Sequence, residues 1–463
     1  MRFLYYLFRL LDRFSSSAKI IFLVAFFLLD PLGLVSASDN ASKSFINRIQ
    51  SIFYSSAAQK EVTVVLLDDE YLKATQSYWP LPYNQQAKIF KRILHYQPNA
   101  LFIDLLYSHD RSTTKDSVQR IVNIFERYEK RNNTPIYLAK VENEHNQRPK
   151  AFEQYSRWAS VSWQGFEKNY PFVVDGTDTA AAVLYKVYCQ ATEKCIFDSR
   201  FFQSPLVLQW GLKLSEIQNS LTINTHCEIK GSNASLLVKL SLSDIFWRLK
   251  SKFRQVCPYT TTVMASSLLA NDKEAKELFE HVFRNKIVLL GAKIEGARDL
   301  ISSPIHGQVA GVYLHAMALD NLITYGQRYT REPPLFFATS ISWLEIMEIT
   351  FVMFIMYFRW MIERGNKESF IGCGQGNKVT NSQNTSVASA TYAHRALNMV
   401  LITLLVVTLI ILFFTNYETI NFIGLFLVAA SFLPSNKLRG ISNLLKRQIQ
   451  RITNNKKINE EKT

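Results

Sequence analysis

The sequence predicts an α/β domain, built from a mostly parallel sheet with flanking helices, and an α-helical membrane region of four spans. Three observations lead to this prediction. Short apolar runs alternate with segments of helical periodicity between residues 61 and 334, which is typical of parallel βαβ units. Long apolar segments lie on both sides of this region, and basic residues cluster beside them, as they do beside membrane spans.

Apolar runs supply the predicted strands of the sheet, and the four clearest begin at Val62, Ala100, Pro135 and Ile287. Right-handed crossovers place such runs side by side and mainly parallel. Segments with helical spacing are Gln86–His95, Ser117–Tyr128, Lys273–Phe283 and the stretch from Gly311 onward. The pattern is weaker from residue 140 to 285, where further strands are predicted at Trp158–Trp163, Phe172–Val174 and Ser235–Leu240.

Hydropathy and charge divide the 463 residues into eight parts. These are an N-terminal segment (1–19), a first span (20–35), the α/β domain (36–334), a second span (335–358), a flexible loop (359–396), two more spans (397–415 and 417–433) and a basic tail (434–463). The flexible loop is rich in Gly, Asn, Ser and Thr and poor in apolar residues, which is typical of linkers.

The charge distribution predicts the topology. Residues 1–19, 359–395 and 437–463 together carry 17 Lys/Arg and 5 Asp/Glu, most of the net charge of +15. The positive-inside rule places these segments in the cytoplasm and the α/β domain on the other side. The high pI therefore indicates anionic lipid rather than nucleic acid as the partner of the tail. We expect the first span to be a retained anchor, although a signal peptide cleaved near Ser38 is the alternative.

Four of the five cysteines lie in the external domain, where an oxidising compartment favours disulfides. Four cysteines allow three pairings, and the nearest neighbours are Cys189 with Cys195 and Cys227 with Cys257. Four free buried thiols are the alternative, and the spacings do not resemble a zinc site.

Acidic residues follow the predicted strands and form the candidate ligand-binding set. Asp68, Asp69, Asp104 and Asp299 each lie at or near the end of an apolar run. Because the carboxyl ends of parallel strands share one edge, these carboxylates are expected to converge. Converging carboxylates raise one another's pKa or bind a cation such as Ca²⁺ or Mg²⁺. The alternative is that they accept hydrogen bonds from loop amides and helix N-termini.

Two other side chains are candidates with a simpler interpretation. Trp79, in the Trp79-Pro80-Leu81-Pro82 segment, is a candidate for stacking on a ligand, although packing over a sheet edge is expected more often. His315 has no His, Cys or Glu at metal spacing, which favours a packing role. No phosphate-binding loop, H-E-x-x-H or G-x-S-x-G motif occurs, so no catalytic residue and no cofactor are predicted, and a metal at the acidic residues is left open.

Glu345 and Glu348 are unusual because they fall near the middle of the predicted second span. A charged carboxylate at the bilayer centre costs about 2.5–3.5 kcal/mol on insertion scales and normally faces protein or water. The two residues lie on one helix face, which we interpret as an intramembrane docking surface. A shifted span, with one glutamate at the interface, is the alternative.

These features together resemble the type-two CHASE domain family. The resemblance rests on Asp30-Pro31-Leu32, Val64 to Asp69, Trp79 to Pro82, Leu101 to Asp104, Gly291-Ala292, Asp299, Pro304, Gly311-Val312, His315-Ala316 and Asp320-Asn321. Tyr83 stands where the family has arginine, Ala310 where it has proline, and residues 140–260 match little.

The resemblance implies an extracytoplasmic sensory domain of a multi-pass protein of the bacterial inner membrane, joined to a cytoplasmic output. No kinase or cyclase output is found in the 27 residues from Lys437. We therefore expect a non-enzymatic periplasmic sensor that relays its signal to a separate protein, with homo-oligomerisation open. The alternatives are an adaptor subunit of an envelope complex and a periplasmic metal-dependent hydrolase.

Overall fold

The computed structural model describes residues 30, 33–107, 111–114, 116–141, 150–163, 169–221, 259–297, 299–336, 342–371, 403, 406–408, 410–411 and 416–425. The chain forms two compact units. The α/β unit comprises Ser44–Pro334 and Thr415–Glu418, and the helical unit comprises Met1–Lys43, Leu335–Phe414 and Thr419–Thr463.

A six-stranded parallel sheet is the centre of the α/β unit. Its strand order is β4-β3-β2-β8-β1-β7, and every pairing between neighbours is parallel. The strands are β1 (Val62–Asp68), β2 (Ala100–Ile103), β3 (Ile136–Lys140), β4 (Arg157–Ser160), β7 (Thr261–Met264) and β8 (Ile287–Lys293). Two antiparallel pairs lie outside it, β5 (Val173–Val174) with β6 (Thr177–Asp178), and β9 (Leu300–Ser303) with β10 (Gly307–Ala310).

Helices connect these strands. They are α1 (Leu34–Phe53), α2 (Asp69–Ala74), α3 (Tyr83–Leu94), α4 (Ser117–Asn132), α5 (Ala180–Thr192), α6 (Gln218–Leu221), α7 (Lys273–Phe283), α8 (Val312–Tyr325) and α9 (Trp343–Ile371). Helix α1 reaches the α/β unit with residues 44–53, and α9 belongs to the helical unit.

The sheet separates two apolar cores because successive strand residues point to opposite faces. Phe102 and Leu289 face a core that they share with α5 and α8. Leu101 and Leu290 face the other core, which contains residues of α3, α4 and α7. Burial on both faces explains why the central strands are apolar runs rather than alternating patterns.

Gly291 brings α8 close to the central strand. A Cβ at Gly291 would lie 2.5 Å from the Cβ of Val312, the first residue of α8. Any larger residue would therefore push the helix away from the sheet. This close approach fixes the start of α8 directly above the carboxyl end of β8.

The α/β class, the predominantly parallel sheet and the flanking helices are confirmed. The strands predicted from Val62, Ala100, Pro135 and Ile287 belong to one sheet and run in one direction. Two features were not predicted. Strand β7 adds an edge next to β1, and the region predicted as a loop after β8 contains the β9–β10 hairpin.

Helix α9 of the helical unit begins at Trp343, eight residues after the start of the predicted span. Ser342 and Glu345 form a reciprocal capping box, because the Glu345 carboxylate accepts from the Ser342 N–H at 2.7 Å and the Ser342 hydroxyl accepts from the Glu345 N–H at 3.2 Å. Glu345 therefore lies in the first turn of α9 rather than near the middle of the helix, and its depth in a membrane span stays a prediction. The helix also continues to Ile371, so the first residues of the predicted flexible loop are helical.

Glu348 lies one turn further into α9 and is buried. Its carboxylate accepts a hydrogen bond from the backbone N–H of Asn421. The Asn421 side chain in turn donates to the Ser38 hydroxyl at 2.8 Å and accepts from the Ser42 hydroxyl at 3.3 Å. A buried polar network thus joins α9, α1 and residue 421 within the helical unit.

Among the residues described, no helix has both the length and the hydropathy required of a membrane span. Of the last span (417–433), residues 417–425 are described and only 422–425 of these are helical, whereas the first span (20–35) and the third (397–415) lie largely outside the described residues. The same holds for the strand Ser235–Leu240, the pair Cys227 and Cys257, and the basic tail. The predicted Cys189–Cys195 disulfide is present.

Candidate functional site

The carboxyl ends of β2 and β8 form a topological switch point. These strands are neighbours, but the chain leaves β2 toward α4 on one face and leaves β8 toward α8 on the other. Adjacent connections that diverge in this way open a crevice beyond the strand ends, where α/β proteins bind their ligands. A ligand site is therefore expected at this switch point.

Asp104 and Asp299 are the carboxylates at this switch point. Asp104 directly follows β2, and its N–H donates to the carbonyl of Leu290 in β8 at 2.7 Å. Asp299 precedes the hairpin that leads from β8 to α8. Burial, together with the neighbouring Asp299 charge, raises the pKa of Asp104 well above its usual range. The two carboxylates are therefore close enough for the charge of one to affect the ionisation of the other.

The hairpin returns Asp299 to the N-terminus of α8. The carbonyl of Asp299 accepts from the Gly311 N–H at 3.1 Å, which closes the base of the β9–β10 hairpin. The Asp299 carboxylate packs against Gly311 so closely that a Cβ there would lie 2.2 Å from Oδ1. A glycine is required at 311 because the carboxylate occupies the space of a side chain. Its position at a helix N-terminus is also electrostatically favourable for a negative charge.

Behind Asp104 lies a buried aromatic network that sequence reasoning did not find. The Tyr170 hydroxyl lies 2.7 Å from Nδ1 of His315 and accepts from the Ala181 N–H at 3.0 Å. Burial lowers the pKa of His315 to about 3, so the imidazole is neutral, and it shares one hydrogen bond with the Tyr170 hydroxyl. The Asp104 charge acts on Tyr170 and contributes to its raised pKa, after the larger contribution of burial. The network supports Asp104 from within the core.

His315 occupies the packing role that the sequence favoured. Its side chain is buried in α8, with the Phe102 ring 5.6 Å away and the Trp163 ring 6.4 Å away, centroid to centroid. A neutral, enclosed imidazole of this kind orders the aromatic side chains around it.

Asp68 and Asp69 lie at the same edge of the sheet but hold neighbouring backbone. The Asp68 carboxylate accepts from the N–H of Ser266 at 3.0 Å and from its hydroxyl at 2.6 Å. Asp69 accepts from the N–H of Glu295 at 3.0 Å. These contacts match the alternative in which carboxylates at strand ends bind loop amides.

Trp79 is half-buried and packs against the second core, on the α3, α4 and α7 face of the sheet. Phe102 lies two residues before Asp104, so both side chains point to the same face of β2. Phe102 belongs to the core on the α5 and α8 face of the sheet. The candidate residues therefore separate into two places, with Trp79 on one face and the Asp104–Asp299 pair at the switch point.

The described parts of the chain contain no group of three or more His, Cys, Asp or Glu side chains arranged to hold a metal ion. The Asp104–Asp299 pair supplies two carboxylates, and a hard cation bound there would complete its coordination with carbonyl groups and water. The two carboxylates can therefore bind a cation whose positive charge neutralises theirs.

The family comparison agrees with this architecture. No curated protein and no solved structure matches the chain. The model of the CHASE2 domain matches residues 20–358, a range that includes the whole sheet, the switch point and the start of α9. The chain therefore belongs to the CHASE2 domain family, a family of sensory domains.

Proposed function

We propose that the protein is a membrane-anchored extracytoplasmic sensor without enzymatic activity, which binds its signal on the α/β unit and relays it to a separate protein. Membership of the CHASE2 family supports the sensory role. The observation that carries the proposal further is the pair of interacting carboxylates at the topological switch point.

The membrane anchoring is proposed with four spans and with both chain ends in the cytoplasm. The apolar segments and the basic residues beside them support this topology. The Cys189–Cys195 disulfide in the α/β unit fits an oxidising compartment outside the cytoplasm. Anionic lipid is the proposed partner of the basic tail, and nucleic acid is not expected to bind.

The ligand site is proposed to take a cation at Asp104 and Asp299. Each ionised carboxylate makes ionisation of the other less favourable because like charges repel. A positive charge bound between them offsets this repulsion. Asp68 and Asp69 remain candidates at the same edge of the sheet, although both already accept backbone hydrogen bonds. Trp79 remains a candidate for ligand stacking apart from this pair, against the second core. A divalent cation is the simplest probe of this site.

Neutralising the pair is expected to abolish cation binding. In calorimetric titration of the purified full chain with Ca²⁺ alone, and with Mg²⁺ alone, Asp104→Asn with Asp299→Asn should weaken binding at least about tenfold, equivalent to about 1.4 kcal/mol. Asp175→Asn is the matched control, since Asp175 is exposed in the β5–β6 turn. Because the pKa of Asp104 is raised, affinity should also fall as the pH is lowered and the carboxyl becomes protonated. Equal affinity in the double variant, or no binding by the unmodified chain, would refute the cation site.

The relay is proposed to use the acidic side chains of α9. Glu345 is exposed and Glu348 is buried, so Glu345 is available to a partner while Glu348 connects the surface to the Asn421 network. A partner that binds the exposed carboxylate would therefore change the position of the helix end, and the internal carboxylate would transmit that change to the helical unit.

Replacement of both glutamates with glutamine is expected to weaken the partner interaction without unfolding the helical unit. Glutamine keeps an oxygen acceptor for the Ser342 and Asn421 N–H groups and also suits the capping box. Crosslinking in native membranes should show reduced recovery of the proteins bound to the Glu345→Gln, Glu348→Gln chain. Unchanged partners together with an unchanged signalling response would mean that the pair serves internal packing only.

A further inference from the structure

A second acidic group, Asp320, lies deep inside the α/β unit and away from the switch-point pair. It is on α8, where ten other residues from Val312 to Leu322 are also buried, and its own exposed fraction is 0%. A carboxyl group in such a place must be paired or protonated, because an isolated buried charge is costly. The family resemblance included the Asp320-Asn321 pair, but sequence reasoning gave it no role.

One carboxylate oxygen of Asp320 is engaged and the other is not. Oδ1 accepts from the Tyr54 hydroxyl at 2.7 Å and from the Thr324 hydroxyl at 3.4 Å. Oδ2 is buried and has no hydrogen-bond partner among the described residues. The charged form therefore has an oxygen without a donor, whereas a proton on Oδ2 removes the charge.

Asn321 completes the arrangement around Tyr54. Its side-chain amide donates to the Tyr54 hydroxyl and to the carbonyls of Gln209 and Met317, and its oxygen accepts from the Gln209 N–H. The Tyr54 hydroxyl thus accepts from Asn321 and donates to Asp320. Since Tyr54 immediately follows α1, these two adjacent residues of α8 hold the end of α1 to the core.

The titratable groups around Asp320 are tyrosines. Tyr54, Tyr259 and Tyr325 each have a pKa that is raised by burial and by the Asp320 charge. Arg48 of α1 and His306 of the hairpin turn each hydrogen-bond a main-chain carbonyl, that of Pro304 and that of Gly211 respectively. The tyrosines are neutral near pH 7, so they provide hydrogen bonds but no compensating positive charge.

We propose that Asp320 is a proton-binding site, and that the bound proton sets how firmly Tyr54 and the end of α1 are held to the α/β core. With the proton bound, the carboxyl is neutral and remains buried beside Tyr54. When the proton is lost, the uncompensated charge draws water toward Oδ2, and the contact between α8 and Tyr54 opens more often. If the proposed topology holds, on which this step rests, the chain leads from the first span through α1 to Tyr54.

The direction of the pH effect follows from burial. Burial raises the pKa of Asp320 to about 7, against the opposing hydrogen bond from Tyr54. A carboxyl with a raised pKa in the closed state stabilises that state at low pH, and the stabilisation is lost as the pH rises from the ordinary value toward 7. The closed contact should therefore be firmest in mild acid and weakest above neutrality.

Hydrogen exchange of the full chain in lipid nanodiscs tests this proposal. After correction for intrinsic exchange rates, protection of peptides covering residues 44–54 should be at least about tenfold greater at pH 5.5 than at pH 8. Asp320→Asn, which cannot ionise, should remove this difference, and Asp178→Asn, a half-exposed partner of Lys186, should keep it.

Tyr54→Phe provides a second variant if Asp320→Asn fails to fold. Loss of the hydroxyl that favours the ionised form should move the midpoint of the pH dependence upward. An infrared carbonyl band of a protonated carboxylic acid, lost as the pH rises through about 7 in the unmodified chain, should follow the same midpoint. The proposal is overturned if protection of residues 44–54 does not depend on pH, if Asp320→Asn retains the dependence, or if Tyr54→Phe leaves its midpoint unchanged.

Discussion

Phe102→Ala is expected to destabilise the α/β unit by about 3–5 kcal/mol, the usual range for removing a buried phenylalanine ring. Phe102 is on β2, near the centre of the sheet, and its exposed fraction is 0%. Its ring lies 5.6 Å from the His315 ring, so the truncation leaves a cavity between the sheet and α8. The neighbouring strands are held in place by their own pairings and cannot collapse fully into that space.

Urea unfolding of the purified full chain measures this effect, with hydrogen exchange of β2 and β8 assigning the transition to the α/β unit. Phe201→Ala is the matched control, because Phe201 is 47% exposed and should change the unfolding free energy by less than about 0.5 kcal/mol. If the two variants unfold at the same urea concentration, the described core between β2 and α8 is incorrect.

Tyr170→Phe is expected to cost about 2–6 kcal/mol, although it removes a single oxygen atom. That oxygen serves two buried partners, the Ala181 N–H and Nδ1 of His315. Each buried polar group left without a partner costs about 1–3 kcal/mol. Burial keeps the His315 imidazole neutral, so it has no charge with which to form a replacement interaction after the hydroxyl is lost.

Thermal and urea unfolding of Tyr170→Phe should both show the loss, and Tyr78→Phe should show little change because Tyr78 is 65% exposed. The substitution should also alter cation binding at the adjacent pair, since Tyr170 senses the Asp104 charge. A Tyr170→Phe chain as stable as the unmodified one would mean that the hydroxyl is not shared between α5 and α8.

Local pattern was enough to predict the central strands and most helices, because apolar runs and helical spacing are encoded in adjacent residues. It was not enough for β7, whose four residues Thr261–Met264 include only two apolar side chains. The β9–β10 hairpin was also missed. Its first strand alternates exposed and buried side chains over only four residues, which is too short to distinguish from a loop.

The sequence indicated which acidic residues belong to the carboxyl edge but not how they pair there. Asp68, Asp69 and Asp104 all follow an apolar run, so the sequence does not distinguish them. In the structure, the partners of Asp68 and Asp69 are Ser266 and Glu295, about 200 residues away along the chain. Such contacts depend on strand order. No local signal specifies that β8 lies between β1 and β2.

Tyr170 and Asp320 were missed for different reasons. The contact between Tyr170 and His315 joins residues 145 positions apart, within a region where the sequence pattern is weak. Asp320 had a local signal, since an acidic and an amide residue interrupt the apolar helix at Leu319-Asp320-Asn321-Leu322. A charged residue on a helix that is buried on all sides is itself a reason to expect a special role.

The proposed topology places the α/β unit outside the cytoplasm and both chain ends inside it. Single cysteines placed for labelling would be Lys150→Cys, Phe370→Cys and Gln450→Cys, in a chain where Cys227, Cys257 and Cys373 are serine and the Cys189–Cys195 disulfide is kept. A membrane-impermeant thiol reagent applied to intact cells is predicted to label position 150 alone. Positions 370 and 450 should react only after the membrane is permeabilised. Labelling of position 370 or 450 in intact cells, or protection of position 150, would contradict the proposed sensor.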